Sequence, residues 1–404
     1  MAIGLCKGRA ALAALALLAT ATAQEMEFDA GKSSVELPLV MLGNGNLPGL
    51  PCIELGFGEG TGLFLLDTGF NAVAVRRGLA ADLGLEQRGT HIAASFGGTS
   101  KVPLFRGPAV DLRGARFTVP LFYGLDLDHF AQGRGRQLTG ILGAWFFARC
   151  VLTIDYARGK VVVSDQQTWQ PPPDLAPTRL DFRLGQPEIW GTIDDGRPAR
   201  FMIDTGAETV LLLNAPFVAR SHLADAPERL CRSRLMGLGG RADCWFAEVA
   251  RFAAGPLELA DCPVVLMGAV DGFDFGDDSL RAGLIGTGML HGRAVTFDYA
   301  RRRLFVAGPP QPAVRPLGIT VDYDDGERGT VAEVLGMPDS PAVDLLAGDR
   351  IVAIDGAPLP ALPADFRAAV TARETVELTV ERGGERHVVA WRRIEHLPRV
   401  RMAQ

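Results

Sequence analysis

Lysine is nearly missing from this sequence: Lys7, Lys32, Lys101 and Lys160 are the only four in 404 residues. Almost all positive charge is therefore arginine. A formal net charge of −6 gives no basic footprint, which excludes nucleic acid as the expected partner. Long apolar runs are also missing. The longest, Ala10 to Ala19, is half the length of a bilayer span, which needs about 20 residues. Histidine is sparse and scattered, with no His-Glu-x-x-His and no paired Cys-x-x-Cys. Nothing has metal-ligand spacing, and no cofactor is indicated. Cysteine is scarce as well. After Cys6 come Cys52, Cys150, Cys231, Cys244 and Cys262, an odd set that cannot all pair within the chain. Charged residues make up only 22% against 48% hydrophobic ones, which excludes a largely disordered chain.

Glycine and proline are abundant, at 48 and 26 residues, together about 18% against a usual share of roughly 12%. There is no Gly-X-Y period, so the excess reads as many turns between short strands. The N-terminus forms one unit: Lys7 and Arg9, then the apolar run, then Ala21-Thr22-Ala23. That pattern fits a cleaved secretory signal over residues 1–23, and a buried helix is the alternative. The expectation is an exported protein, periplasmic or secreted, with no membrane span after cleavage.

An internal repeat organises the middle of the chain. Residues 63–75 read Leu-Phe-Leu-Leu-Asp-Thr-Gly-Phe-Asn-Ala-Val-Ala-Val, and residues 200–212 read Arg-Phe-Met-Ile-Asp-Thr-Gly-Ala-Glu-Thr-Val-Leu-Leu. Asp67 and Asp204 lie 137 positions apart. Gly140-Ile141-Leu142-Gly143 answers Gly283-Leu284-Ile285-Gly286 at an offset of 143, and Asp155-Tyr156-Ala157-Arg158 matches Asp298-Tyr299-Ala300-Arg301 at the same offset. The spacing predicts two copies of one lobe, over 24–169 and 178–307. Pro-rich linkers at 170–177 and 308–312 bound the second copy. Ile53 to Leu55, Leu63 to Leu66, Val151 to Ile154 and Val161 to Val163 read as strands, and Leu79 to Leu85 as a helix.

In both copies an apolar strand runs into Asp-Thr-Gly. The strand carries the carboxylate inward, glycine permits the sharp turn, and the threonine hydroxyl can bond backbone across a lobe interface. One such tripeptide is an ordinary turn; two, each followed by a matching apolar-apolar-Gly segment, point to a pair. About a pseudo-twofold axis Asp67 and Asp204 would meet and share one proton. One carboxylate would then activate water while the other protonates a carbonyl.

This constellation resembles the aspartic proteases, specifically the retroviral-protease-like bacterial members in single-chain, two-lobed form. The resemblance covers about residues 34–306. It implies a mainly β fold of duplicated, closed barrel-like lobes, with Asp67 and Asp204 as catalytic residues and polypeptides as substrates. Thr68 and Thr205 would be interlocked hydroxyls; Gly69, Gly206, Ala207, Gly143 and Gly286 would support the site. Phe70 departs from the small residue usual after the first Asp-Thr-Gly, which keeps a catalytically degenerate, peptide-binding or scaffold reading open. Such a family closes hairpin flaps over substrate. Gly97 and Gly98 mark the first-lobe candidate, and Gly237, Gly239 and Gly240 the second. Cys231 and Cys244 straddle a hairpin centred between Gly237 and Leu238. They are a candidate disulfide, with two buried thiols as the alternative.

Residues 313–397 change character. Gly329 to Val334 reads as a strand, Ser340 to Leu346 as a helix start, Arg350 to Ile354 as a strand and Phe366 to Ala372 as a helix. Thr375 to Glu381 and Arg386 to Arg392 read as a hairpin through Gly383-Gly384. The order, with Ala-Gly-Asp-Arg-Ile and Ile-Asp-Gly, resembles an α+β PDZ domain of the bacterial type. That resemblance implies a carboxylate-binding loop at Leu317, Gly318 and Ile319 and C-terminal peptides as partners. A bracing module, or an envelope adaptor acting through this groove alone, are the alternatives.

Overall fold

A computed structural model describes residues 26–402, except 44, 96–97, 131–133, 238–239, 269–280, 310, 313, 324–328, 335–343, 362 and 393. The chain is mainly β. In the first lobe, β1 (Gly60–Leu66) ends in four consecutive buried residues, Leu63 to Leu66. A strand covered on both faces needs such an unbroken apolar run. After the turn comes β2 (Val73–Arg76), and the chain later returns as β3 (Gly140–Leu142). β3 threads between them, parallel to β1 (Ile141 opposite Leu65) and antiparallel to β2 (Ile141 opposite Ala74).

The second lobe repeats this order. After β4 (Gln186–Ile193), β5 (Ala199–Ile203) and β6 (Leu211–Leu213) flank a returning strand. After β6 in the chain come the hairpin strands β7 (Cys231–Gly237) and β8 (Gly240–Ala254); the returning strand is β9 (Arg281–Ile285). β9 runs parallel to β5 and antiparallel to β6. The repeat in sequence is therefore a repeat in topology.

One six-stranded sheet joins the lobes, in the order 178–179, 303–307, 294–298, 151–155, 160–164, 34–38. At its centre Thr153 faces Thr296, and their Oγ1 atoms stand 2.7 Å apart. These residues differ by 143 positions, the offset of the second repeat, so the pseudo-twofold axis passes between them. The matching Asp-Tyr-Ala-Arg segments close turns in this sheet: Arg158 N donates to Asp155 Oδ1 (2.9 Å) and Arg301 N to Asp298 Oδ1 (3.1 Å). A continuous apolar core crosses the junction, with Phe147 edge-on to Phe297 at 5.5 Å.

The helix expected at Leu79 to Leu85 is shorter and earlier, Arg77–Asp82, because Gly84 turns left-handed (φ 60°) and ends it. The candidate Cys231–Cys244 disulfide is corrected. Cys231 pairs with Phe246, Cys244 with Ser233 and Gly237 with Gly240, so the ladder is centred one residue beyond the expected point. The two cysteines sit diagonally, about 7–8 Å apart in such a ladder, beyond the ordinary reach of a disulfide. Among the described residues no cysteine is disulfide-bonded, so Cys52, Cys150 and Cys262 are also unbridged.

Residues 319–392 build a separate sheet in the order 319–322, 330–334, 350–354, 375–382, 385–392. Gly383 and Gly384 (φ 60° and 86°) make its last turn, where two successive left-handed residues are required. The helix α1 (Pro363–Thr371) begins three residues before the expected Phe366, with proline at its first position. Trp391 and Phe366 anchor a core of its own. Most of the helix expected from Ser340 lies outside the described residues. No described helix is long and apolar enough to cross a membrane.

Candidate active site

β1 and β5 deliver Asp67 and Asp204 to the junction. Each Asp amide bonds the end of the threaded strand: Asp67 N to Leu142 O (3.0 Å) and Asp204 N to Ile285 O (2.9 Å). The next residues lock the loops together. Thr68 Oγ1 donates to Ile203 O and Thr205 Oγ1 to Leu66 O, both at 2.7 Å. Thr68 N donates to Thr205 Oγ1 and Thr205 N to Thr68 Oγ1, both at 3.0 Å. Both threonines are wholly buried, and the four bonds run between lobes.

The glycines bring the carboxylates together. A Cβ on Gly69 would stand 2.5 Å from the Asp204 carboxyl, and one on Gly206 2.4 Å from that of Asp67. Only glycine fits where the opposite acid occupies that space. Gly143 and Gly286 are equally tight: a Cβ on either would lie 2.2 Å from a carbonyl oxygen of the facing loop, Phe70 O or Thr209 O. Their neighbours use those loops as acceptors, Ala144 N to Phe70 O (2.7 Å) and Thr287 N to Ala207 O (2.8 Å).

The two carboxyl groups stand close enough for each to bear on the other's protonation. Burial pushes Asp67 well above the usual carboxylate range, and the Asp204 charge pushes it further. Burial also raises Asp204. Amides oppose the rise: Gly69 N (2.8 Å) and Phe70 N (3.0 Å) donate to Asp67 Oδ1, and Gly206 N (2.8 Å) to Asp204 Oδ1. Two acids this close keep one proton between them. The Phe70 ring packs edge-on against Tyr123 at 6.1 Å, in the small apolar cluster of its own lobe. Among the described residues no group of three or more His, Cys, Asp or Glu side chains is placed to hold a metal ion.

The aspartyl protease family model matches twice, over residues 53–146 and 189–288. The two lobes are repeats of one aspartic-protease-like fold. Solved structures similar to this chain include basic 7S globulin from soybean, 15% identical, covering 68% of this chain and 96% of its own, with a TM-score of 0.37. Another is edgp, at 12% identity, 68% and 95% coverage and a TM-score of 0.39. No functionally curated protein matches the sequence.

Around the aspartic-protease-like loops stand residues that motif spacing did not pick out. Gln186 Nε2 donates to Gly69 O at 2.5 Å from the other lobe. Thr287 Oγ1 lies 2.9 Å from Gly49 O and 3.2 Å from Ala207 O. Glu208 pairs with Arg134 across the junction at 3.2 Å, both largely buried. Thr287 and Glu208 directly follow Gly286 and Ala207, a signal that was legible; nothing in the sequence marks Gln186 or Arg134.

Of the flap glycines, Gly98 pairs with Ser95 and Gly237 with Gly240 at the ends of two long hairpins. Gly97 and Gly239 lie outside the described residues. At the proposed carboxylate loop, Leu317 and Ile319 are buried and Gly318 is left-handed (φ 83°). The Leu317 amide is already engaged, donating to Asn46 Oδ1 of the first lobe at 2.7 Å. Leu317 O accepts from Trp391 Nε1 at 3.2 Å. Arg367 of α1 donates to the carbonyls of Gly45, Asn46 and Arg315.

Proposed function

We propose that this protein is an exported aspartic-type endopeptidase acting on extended polypeptides. The observation that carries the reading is the Asp67–Asp204 pair, two adjacent carboxyls of raised pKa on loops locked to each other. The ionised carboxylate takes a proton from water as the water oxygen attacks the peptide carbonyl carbon. The partner gives its proton to the carbonyl oxygen. The diol then collapses: the C–N bond breaks, the nitrogen leaves with a proton from the pair, and a diol hydroxyl returns one to it. Water and a peptide bond become a carboxylic acid and an amine, with no covalent intermediate.

The test is cleavage of a denatured polypeptide by residues 24–404 between roughly pH 3 and 8, beside Asp67→Asn and Asp204→Asn. Each variant is expected to lose at least about a thousandfold in kcat. Equal cleavage by all three proteins rejects the pair as catalytic. A wild type that binds without cutting supports the binding-only reading, which rests on Phe70.

Export rests on the composition of residues 1–23. The proposed division is lobes over 24–169 and 178–307 and a PDZ-type unit over 313–397. For that unit, bracing is favoured over peptide capture, because Asn46 takes the Leu317 amide that a peptide carboxylate would use. Titration with peptides bearing free or amidated C-termini is expected to show no difference. A preference for the free carboxylate would mean that Asn46 yields to a ligand.

A further inference from the structure

Gln186 opens β4 directly after a turn of two left-handed residues, Leu184 (φ 50°) and Gly185 (φ 82°). Its side chain leaves its own lobe and donates to the Gly69 carbonyl, 117 residues away in sequence. That carbonyl is one end of a planar peptide unit. The other end is the Phe70 N–H, which donates to Asp67 Oδ1 at 3.0 Å. A donor on an amide oxygen draws electron density from the nitrogen and strengthens its N–H as a donor. Gln186, the Gly69–Phe70 peptide and Asp67 therefore form a chain of aligned hydrogen bonds.

The second lobe lacks this chain. Phe70 N and Ala207 N each meet the main-chain oxygen of their own aspartate at 3.3 Å, but only Phe70 N also donates to the carboxyl. Glu188 opposite Met202 answers Cys52 opposite Leu65, so position 186 answers Leu50, whose apolar side chain has no donor. The repeat thus builds the lobe without a glutamine at this place, so the fold alone does not require one.

We propose that Gln186 is a positioning residue of the carboxylate pair, acting on Asp67 through the Gly69–Phe70 peptide and making the two acids unequal. This rests on the reading of the pair as catalytic. A firmly held Phe70 amide favours the ionised form of Asp67. The ionisable groups bearing on Asp67 are Asp204 on the facing loop and Tyr299 beneath the pair; Arg183 faces Gln186 across its turn. All three are unchanged when Gln186 is replaced.

The experiment uses the full mature chain and two variants, Gln186→Leu and Gln186→Glu. The first readout is the titration of the Asp67 and Asp204 side-chain carboxyls by carbon-13 NMR, which needs no catalysis. Gln186→Leu is expected to raise the lower apparent pKa of the pair by about half a unit to one unit. In kinetics the acid limb of kcat then moves to higher pH by the same amount. Its plateau falls about three- to tenfold, with KM within about twofold. Gln186→Glu donates only while protonated. It should match wild type on the acid side and lose activity as the new carboxyl ionises, a pattern that a merely structural role would not give.

Two results overturn the proposal. One is carboxyl titrations unmoved in Gln186→Leu. The other is a fall in KM at constant kcat, meaning that the side chain merely covers a carbonyl the substrate uses. If the wild type cuts nothing, the NMR titration still decides the role of Gln186, so the two failures are distinguishable.

Discussion

Gly206 has the Asp67 carboxyl where a Cβ would be, and Gly69 has that of Asp204. Each lobe therefore shapes its turn around the other lobe's acid. Gly206→Ala is expected to cost about 1–3 kcal/mol by overpacking, read as a lower denaturant midpoint. The threonines show the same reciprocity. Thr205→Val orphans Leu66 O and Thr68 N, at about 1–3 kcal/mol for each buried group left unpaired. The acids themselves work against stability. Folded Asp67 keeps its proton to higher pH, whereas the unfolded chain releases it near pH 4, so folding grows less favourable as pH rises from about 4 through the raised pKa. Asp67→Asn removes that dependence. Its melting temperature should equal the wild type's near pH 4 and exceed it at pH 7, by about 2–4 °C for each kcal/mol regained.

Strands and their pairings carry the next set of consequences. The long hairpin of β7 and β8 holds Cys231 and Cys244 one rung out of register. Burial pushes the Cys231 thiol up to about 12. In the native protein both buried thiols should resist alkylation; unfolded without reductant, both should take the label, as mass spectrometry would read. The Asp-Thr-Gly pairs, the threaded strands and the twofold relation were legible because a duplicated apolar run leaves two matching signals. The hairpin centre was misjudged by one residue, which shifts cross-strand partners by two, because the glycines fix only roughly where a turn falls, whereas cross-strand pairing fixes it absolutely. Gln186, Arg134 and Asn46 were not legible. Each works across more than 70 residues of sequence, where no period or spacing operates.

At the scale of the whole molecule the C-terminal segment folds back. Beyond 392 it returns to the second lobe, where Val400 N donates to Glu248 O and Glu248 N to Pro398 O, both at 2.9 Å. The Glu248 side chain is 1% exposed and meets Arg315 at 2.7 Å and Arg399 at 3.1 Å. Glu248→Ala takes the carboxylate from the largely buried Arg315, while the half-exposed Arg399 keeps Asp261, and is expected to cost about 1–3 kcal/mol, measured by chemical denaturation. Arg315 lies just before the 319–392 sheet and Arg399 just after it. The chain therefore leaves the two lobes and rejoins them at one carboxylate, so the smaller unit's two stems are tied together at their base while Leu317 and Arg367 hold its flank to the first lobe. Excising residues 317–393 and bridging the gap with a short flexible link would keep the knot at Glu248 but strip Gly45 and Asn46 of the first lobe of the partners that hold them.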